Sequence, residues 1–233
     1  MDRVILIDKE KDWTSFDVVA KVRSCVRAYA LAQAEKDEKP KKIKVGHAGT
    51  LDPLATGLLI VLVGDATKRQ DSYMKQDKEY EVVAKLGETS TTGDGEGVKT
   101  QISSHKPSEE EVKKVIKQFT GTLQQVPPQY SAIKIGGKRA YALARAGKDV
   151  KIEPRTVVVH SISDVTYTYP ELRFKAVVSS GTYIRSLVSD IGDALATGAF
   201  MSDLRRTKIG SFSIEDAIKV QAVTQDLLQT DES

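Results

Sequence analysis

Two hydrophobic rhythms run along this chain. Val4-Ile5-Leu6-Ile7 is a short unbroken apolar run with the length of a buried strand. After it, Thr14 or Ser15 stands where a helix N-cap belongs, and Asp17 falls in the favourable first turn. Phe16, Val19, Val22 and Val26 then form an apolar stripe at helical spacing. Residues 30–44 become alanine-rich and then charged, as an exposed helix end running into a loop would. Residues 58–63 are a second buried strand, and residues 80–86 alternate as a half-buried one. The stretch GETSTTGDGEG at 87–97 reads as a solvated turn, since it has neither the Lys-Ser/Thr of a P-loop nor a Rossmann spacing. Ser108-Glu109-Glu110-Glu111 is a capping box opening a helix with Val112, Val115, Ile116 and Phe119 on one face. Pro127-Pro128 breaks the chain ahead of a basic, glycine- and tyrosine-rich segment at 134–151. Residues 157–169 and 172–179 alternate as two strands joined around Pro170. A helix follows over about 185–195, and a last strand or turn surrounds Leu204. Strands and helices mix without regular βαβ alternation, which predicts an α+β fold on a mixed, mostly antiparallel sheet.

Composition narrows this little. The 233 residues are 40% hydrophobic and 29% charged, enough for a soluble core in one large domain or two small ones. No apolar run approaches the roughly 20 residues that span a bilayer, and Met1-Asp2-Arg3-Val4 lacks the layout of a signal peptide. Cys25 is the one cysteine, in an apolar stripe, so neither a disulfide framework nor a cysteine metal cluster is expected and the setting reads as cytoplasmic. The net charge of +3 is weak support for an anionic partner, although Lys39, Lys41, Lys42 and Lys44 cluster before one glycine-rich motif. Arg205, Arg206 and Lys208 form a second basic group near the other end.

That motif, Gly46-His47-Ala48-Gly49-Thr50-Leu51-Asp52-Pro53-Leu54-Ala55-Thr56-Gly57, carries the candidate chemistry. Glycine permits sharp turns and close approach of another backbone, and proline fixes the exit direction. Such a loop holds one carboxylate in a defined place beside a large ligand. A plain Asp-Pro turn, with the aspartate capping its own backbone, is the bland alternative.

The segment resembles the catalytic motif of the TruB family of tRNA pseudouridine synthases, close to G-H-x-G-x-L-D-P-x-A-x-G. Further blocks follow in family order: Lys78-Glu79-Tyr80, then Pro127-Pro128-Gln129-Tyr130-Ser131-Ala132-Ile133-Lys134, then Gly181-Thr182-Tyr183-Ile184-Arg185, then Leu204-Arg205-Arg206-Thr207. The resemblance covers about residues 4–220. It departs at Lys9-Glu10-Lys11-Asp12-Trp13-Thr14-Ser15, where the family usually has K-P-x-G-x-T-S, and in a longer segment before Gly46. The chain is also expected to be a single catalytic domain over 1–233, with a thumb-like insertion at about 131–152 and without the PUA-type domain of many relatives.

The resemblance implies a pseudouridine synthase fold and an isomerase that converts uridine 55 in the T-arm of tRNA to pseudouridine by base flipping. It implies a cytoplasmic monomer with no cofactor, metal or membrane. Asp52 would be the nucleophile, Tyr80 would stack on the flipped uracil, Tyr183 would contact the base or move a proton, and Arg185 would pair with Asp52. Among substrate-binding residues, His47 would fill the gap left by the flipped base, Leu204 would line the uracil pocket, and Lys68 would lie near the T-arm. Lys134, Lys138, Arg139, Arg145 and Lys148 would meet phosphates from the thumb. Two rivals are a dyskerin-like synthase that needs a guide RNA, and an RNA-folding chaperone whose catalysis is dispensable.

Overall fold

The computed structural model describes residues 2–34, 42–131, 133–146 and 152–225. The chain divides into two compact units, one built from residues 1–78 and 205–233, the other from residues 79–204.

In the first unit, strand Asp2–Lys9 pairs antiparallel with Thr56–Gly64, which also takes Val45–Ala48 antiparallel. Ile218–Lys219 joins Asp2–Lys9 in parallel, and Arg205-Arg206 joins Thr56-Gly57 in parallel. The unbroken run at 58–63 is explained by burial on both faces. Leu59, Val61 and Val63 pack with Ile5, Ile7 and the helix residues Val18, Val22 and Val26. Leu58, Ile60 and Leu62 pack on the other side with Ala48, Ala66 and Ile209.

Helix Ser15–Ala32 begins as the sequence predicts, at Thr14, whose hydroxyl accepts from the Asp17 N–H while the Asp17 carboxylate accepts from the Thr14 N–H. Such a cap is worth about 1 kcal/mol. The stripe itself needs a correction. Phe16 is 65% exposed, with the Arg23 guanidinium 5.8 Å from its ring. The buried face is Ser15, Val18, Val19, Val22 and Val26. Phe16 lies roughly 100° round the helix from Ser15, outside that stripe.

In the second unit the strand order is Lys78–Leu86, Glu171–Val178, Arg155–Thr168, Gly121–Gln125. The last two pairings are antiparallel, and the long pairing of Arg155–Thr168 with its neighbour is interrupted by two bulges. Burial alternates as predicted, through Tyr80, Val82, Ala84 and Leu86 and through Leu172, Phe174, Ala176 and Val178. Helices Glu109–Gln118 and Ile184–Ala194 complete the unit, the first capped by Ser108 and Glu111. The stretch at 87–97 is more than a solvated turn. Glu88–Ser90 pairs with Lys99–Gln101, and Asp94 at the tip is 2% exposed. Among the described residues no helix is long and apolar enough to cross a membrane.

Candidate active site

Ser15, Arg206 and Lys9 hold the Asp52 loop of the first unit through its main chain. Ser15, in the first turn of the capped helix, donates to the Leu51 carbonyl at 3.0 Å and accepts from the Leu51 N–H at 2.8 Å. The buried Arg206 guanidinium donates to Leu58 O at 2.8 Å, Gly49 O at 3.0 Å and Thr50 O at 3.4 Å. The Lys9 ammonium, wholly buried, donates to the carbonyls of Trp13, Glu10 and Pro53. Asp12 N–H also reaches Pro53 O. The chain itself turns at the aspartate, where Ala55 N–H bonds Asp52 O. These bonds fix the half-buried Asp52 on a loop in which each carbonyl from Gly49 to Pro53 has a donor.

Gly57 shows why the motif needs glycine. Its φ is +100°, and a Cβ there would lie 2.3 Å from the Arg206 carbonyl oxygen. Gly46, by contrast, sits in a regular strand with open space around it.

Two buried cations therefore flank this loop. Burial pushes the Lys9 ammonium down to about 8, against the opposing pull of the Asp52 and Asp12 carboxylates. Lys78 is likewise lowered to about 8 by burial and by Arg206, with its ammonium bonded to the Met74 and Gln76 carbonyls. His47 lies on strand Val45–Ala48, its carbonyl accepting from Gln70 Nε2 at 2.8 Å. Burial first, and Arg206 second, hold its imidazole below the ordinary value of 6.5, so it is neutral at pH 7. Its Nδ1 is buried without a hydrogen-bond partner among the described residues. Lys68 is exposed on the turn Asp65–Arg69 and pairs with Asp65, which raises it.

In the second unit, Tyr183 and Arg185 meet at the start of helix Ile184–Ala194. Tyr183 is its N-cap, with extended backbone at φ −99° and ψ 111°. Arg185 falls in the first turn, buried, with its guanidinium 3.3 Å from the Asp94 carboxylate. It also donates to Thr92 O at 3.0 Å and Tyr130 O at 2.8 Å. Asp94 Oδ1 in turn accepts from the Thr92 hydroxyl and the Glu96 N–H. Asp94 is thus an acidic partner for Arg185 that sequence reasoning missed. Its signal was present, as an aspartate in a glycine-rich loop, but nothing local distinguished a buried carboxylate from a turn residue.

Tyr80 is buried on strand Lys78–Leu86, and Leu204 is buried on Ala199–Ile209, the neighbouring strand. The thumb-like segment contains a two-strand hairpin, Lys134–Ile135 with Lys138–Arg139, and helix Ala140–Arg145. Lys138 is exposed there. The side chains of Lys134, Arg139 and Arg145, and the whole of Lys148, lie outside the described residues.

With this geometry in view, the likenesses are specific. Residues 27–184 match the family model described as TruB family pseudouridylate synthase (N terminal domain), and residues 185–233 match that of the tRNA pseudouridylate synthase B C-terminal domain. The chain is 43% identical over 230 residues to tRNA pseudouridine synthase B of Parabacteroides distasonis, covering 97% of this chain and 93% of that protein. It is 42% identical to the enzyme of the same name from Clostridium tetani, of which it spans 75%. Among solved structures, a chain of a Cbf5-Nop10-Gar1 complex superposes with a TM-score of 0.68 at 30% identity, covering 94% of this chain and 52% of that one. An H/ACA RNP bound to a substrate RNA containing 2'-deoxyuridine gives 0.66 at 27%, covering 98% and 56%. The chain therefore spans about half the length of these solved chains.

Proposed function

The chain belongs to the TruB family of pseudouridylate synthases, and from that membership we propose that it isomerises uridine 55 in the T-arm of tRNA to pseudouridine. The observation that carries this reading is 43% identity to a tRNA pseudouridine synthase B along nearly the whole of both chains. It is joined here to an unbroken Asp52 motif. The reaction breaks the N1–C1′ bond, forms C5–C1′, places a proton on N1 and releases the one on C5. It involves no net redox change and no hydrolysis.

Asp52 is the nucleophile in this reading, and the fixed loop supports it, because a carboxylate on a rigid main chain loses little freedom when the uridine arrives. Tyr80 stacks on the extruded uracil and Leu204 lines its pocket. Tyr183 contacts the base, and Arg185, whose guanidinium lies 3.3 Å from the Asp94 carboxylate, is proposed to help keep the Asp52 carboxylate ionised as water is excluded. A neutral His47 with an unpaired ring nitrogen suits filling the gap in the stacked loop. Lys68 and the thumb residues Lys134 and Arg145 hold phosphates. The chain works as a monomer on tRNA in the cytoplasm.

A guide-dependent synthase is the second reading, prompted by the Cbf5 and H/ACA neighbours. Identity of 30% against 43%, and coverage of 52% against 93%, favours the stand-alone enzyme. The deciding measurement is tritium release from a tRNA transcript labelled at uracil C5, with no other RNA or protein present. Release that disappears when uridine 55 is replaced by cytidine is the expected outcome. No release without a guide RNA would overturn it.

A further inference from the structure

The strand Gly121–Gln125 ends on a glutamine that is 2% exposed. Its side-chain amide is spent on one residue. Gln125 Oε1 accepts from the Tyr183 N–H at 2.8 Å, and Gln125 Nε2 donates to the Tyr183 carbonyl at 3.1 Å. That carbonyl also accepts from the Leu187 N–H at 3.1 Å in the first helical turn, so both of its lone pairs are engaged. The next residues continue the seam. Ser186 Oγ donates to Val126 O at 2.7 Å, and the Arg185 guanidinium donates to Tyr130 O at 2.8 Å.

Helix capping alone does not account for this arrangement. The N-cap residue of Ile184–Ala194 makes no side-chain cap bond, and the amide holds both the N–H and the C=O of that residue. Holding both peptide groups fixes its φ and ψ, and with them the direction of the Cα–Cβ bond. Gln125 is itself held, since its main chain pairs with Arg155 and its side chain is enclosed.

We infer that Gln125 is a positioning residue, whose bidentate amide sets the Tyr183 ring for the uridine. This rests on the reading that Tyr183 acts on the base. Through Val126 and Tyr130 the same seam ties the N-terminal turn of the helix to the segment entering the thumb.

Glutamate at this position provides a reversible test. Protonated, it reproduces the clamp, with its C=O accepting the Tyr183 N–H and its O–H donating to the Tyr183 carbonyl. Ionised, it loses the donor and sets an oxygen against that carbonyl. Burial raises the pKa of such an acid, bringing the change into a measurable range. Gln125→Glu, Gln125→Met and Tyr183→Leu, with the corresponding double variants, are assayed by single-turnover tritium release, tRNA binding and thermal melting.

In Gln125→Met the single-turnover rate falls about 10- to 100-fold, while tRNA affinity changes by less than about threefold. In Gln125→Glu the rate, as a ratio to the parent at the same pH, is near one at pH about 5 and declines as pH rises. In the Tyr183→Leu background both effects shrink, because the clamp then holds no ring. A helix staple alone would lower the melting temperature without changing the rate below it. Full rate in Gln125→Met beside a crippled Tyr183→Leu overturns the inference and leaves the Tyr183 role intact. An equal fold-loss in both backgrounds also overturns it. Full rate in Tyr183→Leu removes the role of Tyr183 and the inference with it. Should Gln125→Met not fold, the pH ratio of Gln125→Glu decides the matter.

Discussion

Asp52→Asn keeps the size and shape of the side chain, so the loop bonds through Arg206, Lys9 and Ser15 are untouched. Folding and tRNA binding should stay near parental, while turnover falls by several orders of magnitude as the nucleophile is lost. Single-turnover tritium release measures this, and rates within tenfold of the parent would remove Asp52 from its role. Lys68 offers a different kind of test. Its ammonium lies 2.5 Å from the Asp65 carboxylate, but both side chains are exposed, so water screens the pair and leaves the cation open to a phosphate. Lys68→Ala should weaken binding similarly for all tRNAs and reduce the slope of log K against log salt by about one. An unchanged slope would place the contact elsewhere. The residues proposed for the site stand out in the sequence because chemistry attaches to residue type: one aspartate in a glycine-rich loop, two tyrosines and an arginine in blocks that resemble the family's. Asp94 and Gln125 were not legible. Each is defined by a partner far along the chain, Arg185 and Tyr183, and a polar residue in a loop or strand has no local signature of being buried.

The elements were largely readable from periodicity, because burial on one face or both leaves a direct imprint on residue order. The caps at Thr14 and Ser108, the double-faced strand at 58–63 and the hairpin around Pro170 all follow that imprint. Phe16 shows where it fails: an aromatic one position off the stripe is read inward by hydrophobicity and turned outward by geometry. Helix Ile184–Ala194 carries an imbalance of its own. Its last turn has no basic residue, and Asp190 and Asp193 stand one turn apart near its negative end. Burial, then Asp193, raises the Asp190 carboxyl to about 6. A folded pKa above the unfolded 3.8 means the folded state binds more protons between those values, so stability falls as pH rises from about 4 to about 6. Asp190→Asn should therefore raise the melting temperature at pH 7.5 and leave it nearly unchanged at pH 4. Since Asp190 is exposed by surface area, water screens its charge and the gain should be modest. A drop at pH 7.5 would show that the carboxylate is stabilising.

For the whole molecule, the opposite limb of the pH curve is set by Lys9 and Lys78. Both have folded pKa values of about 8 against an ordinary 10.5. Between those values the unfolded chain holds more protons, so stability rises with pH across that window. The upper bound is about 3 kcal/mol for each lysine. Lys9→Met lacks this slope for its site, so its stability deficit against the parent should grow between pH 7.5 and pH 9.5. Denaturant unfolding at the two values checks it, and a deficit that shrinks would show the ammonium to be favoured by its carbonyl partners. Such terms cannot be read from composition: a net charge of +3 counts these lysines exactly as it counts those on the surface.

The carbonyl bonds around Asp52 have a consequence for how this loop tolerates change. Arg206 and Lys9 grip oxygens that every residue type possesses, so they are indifferent to the side chains between them. The shape of the motif is thus specified partly from outside it, by residues more than 40 and 140 positions away in sequence. In a saturation library scored for pseudouridine formation, Thr50, whose side chain is exposed, should accept most replacements although it lies two residues from the nucleophile. Arg206 should accept almost none, lysine included, because its three carbonyl partners are met by three different nitrogens of a planar guanidinium, which one ammonium nitrogen does not reproduce. Intolerance would then follow which atoms hold the loop, and distance from Asp52 would be a poor guide to it.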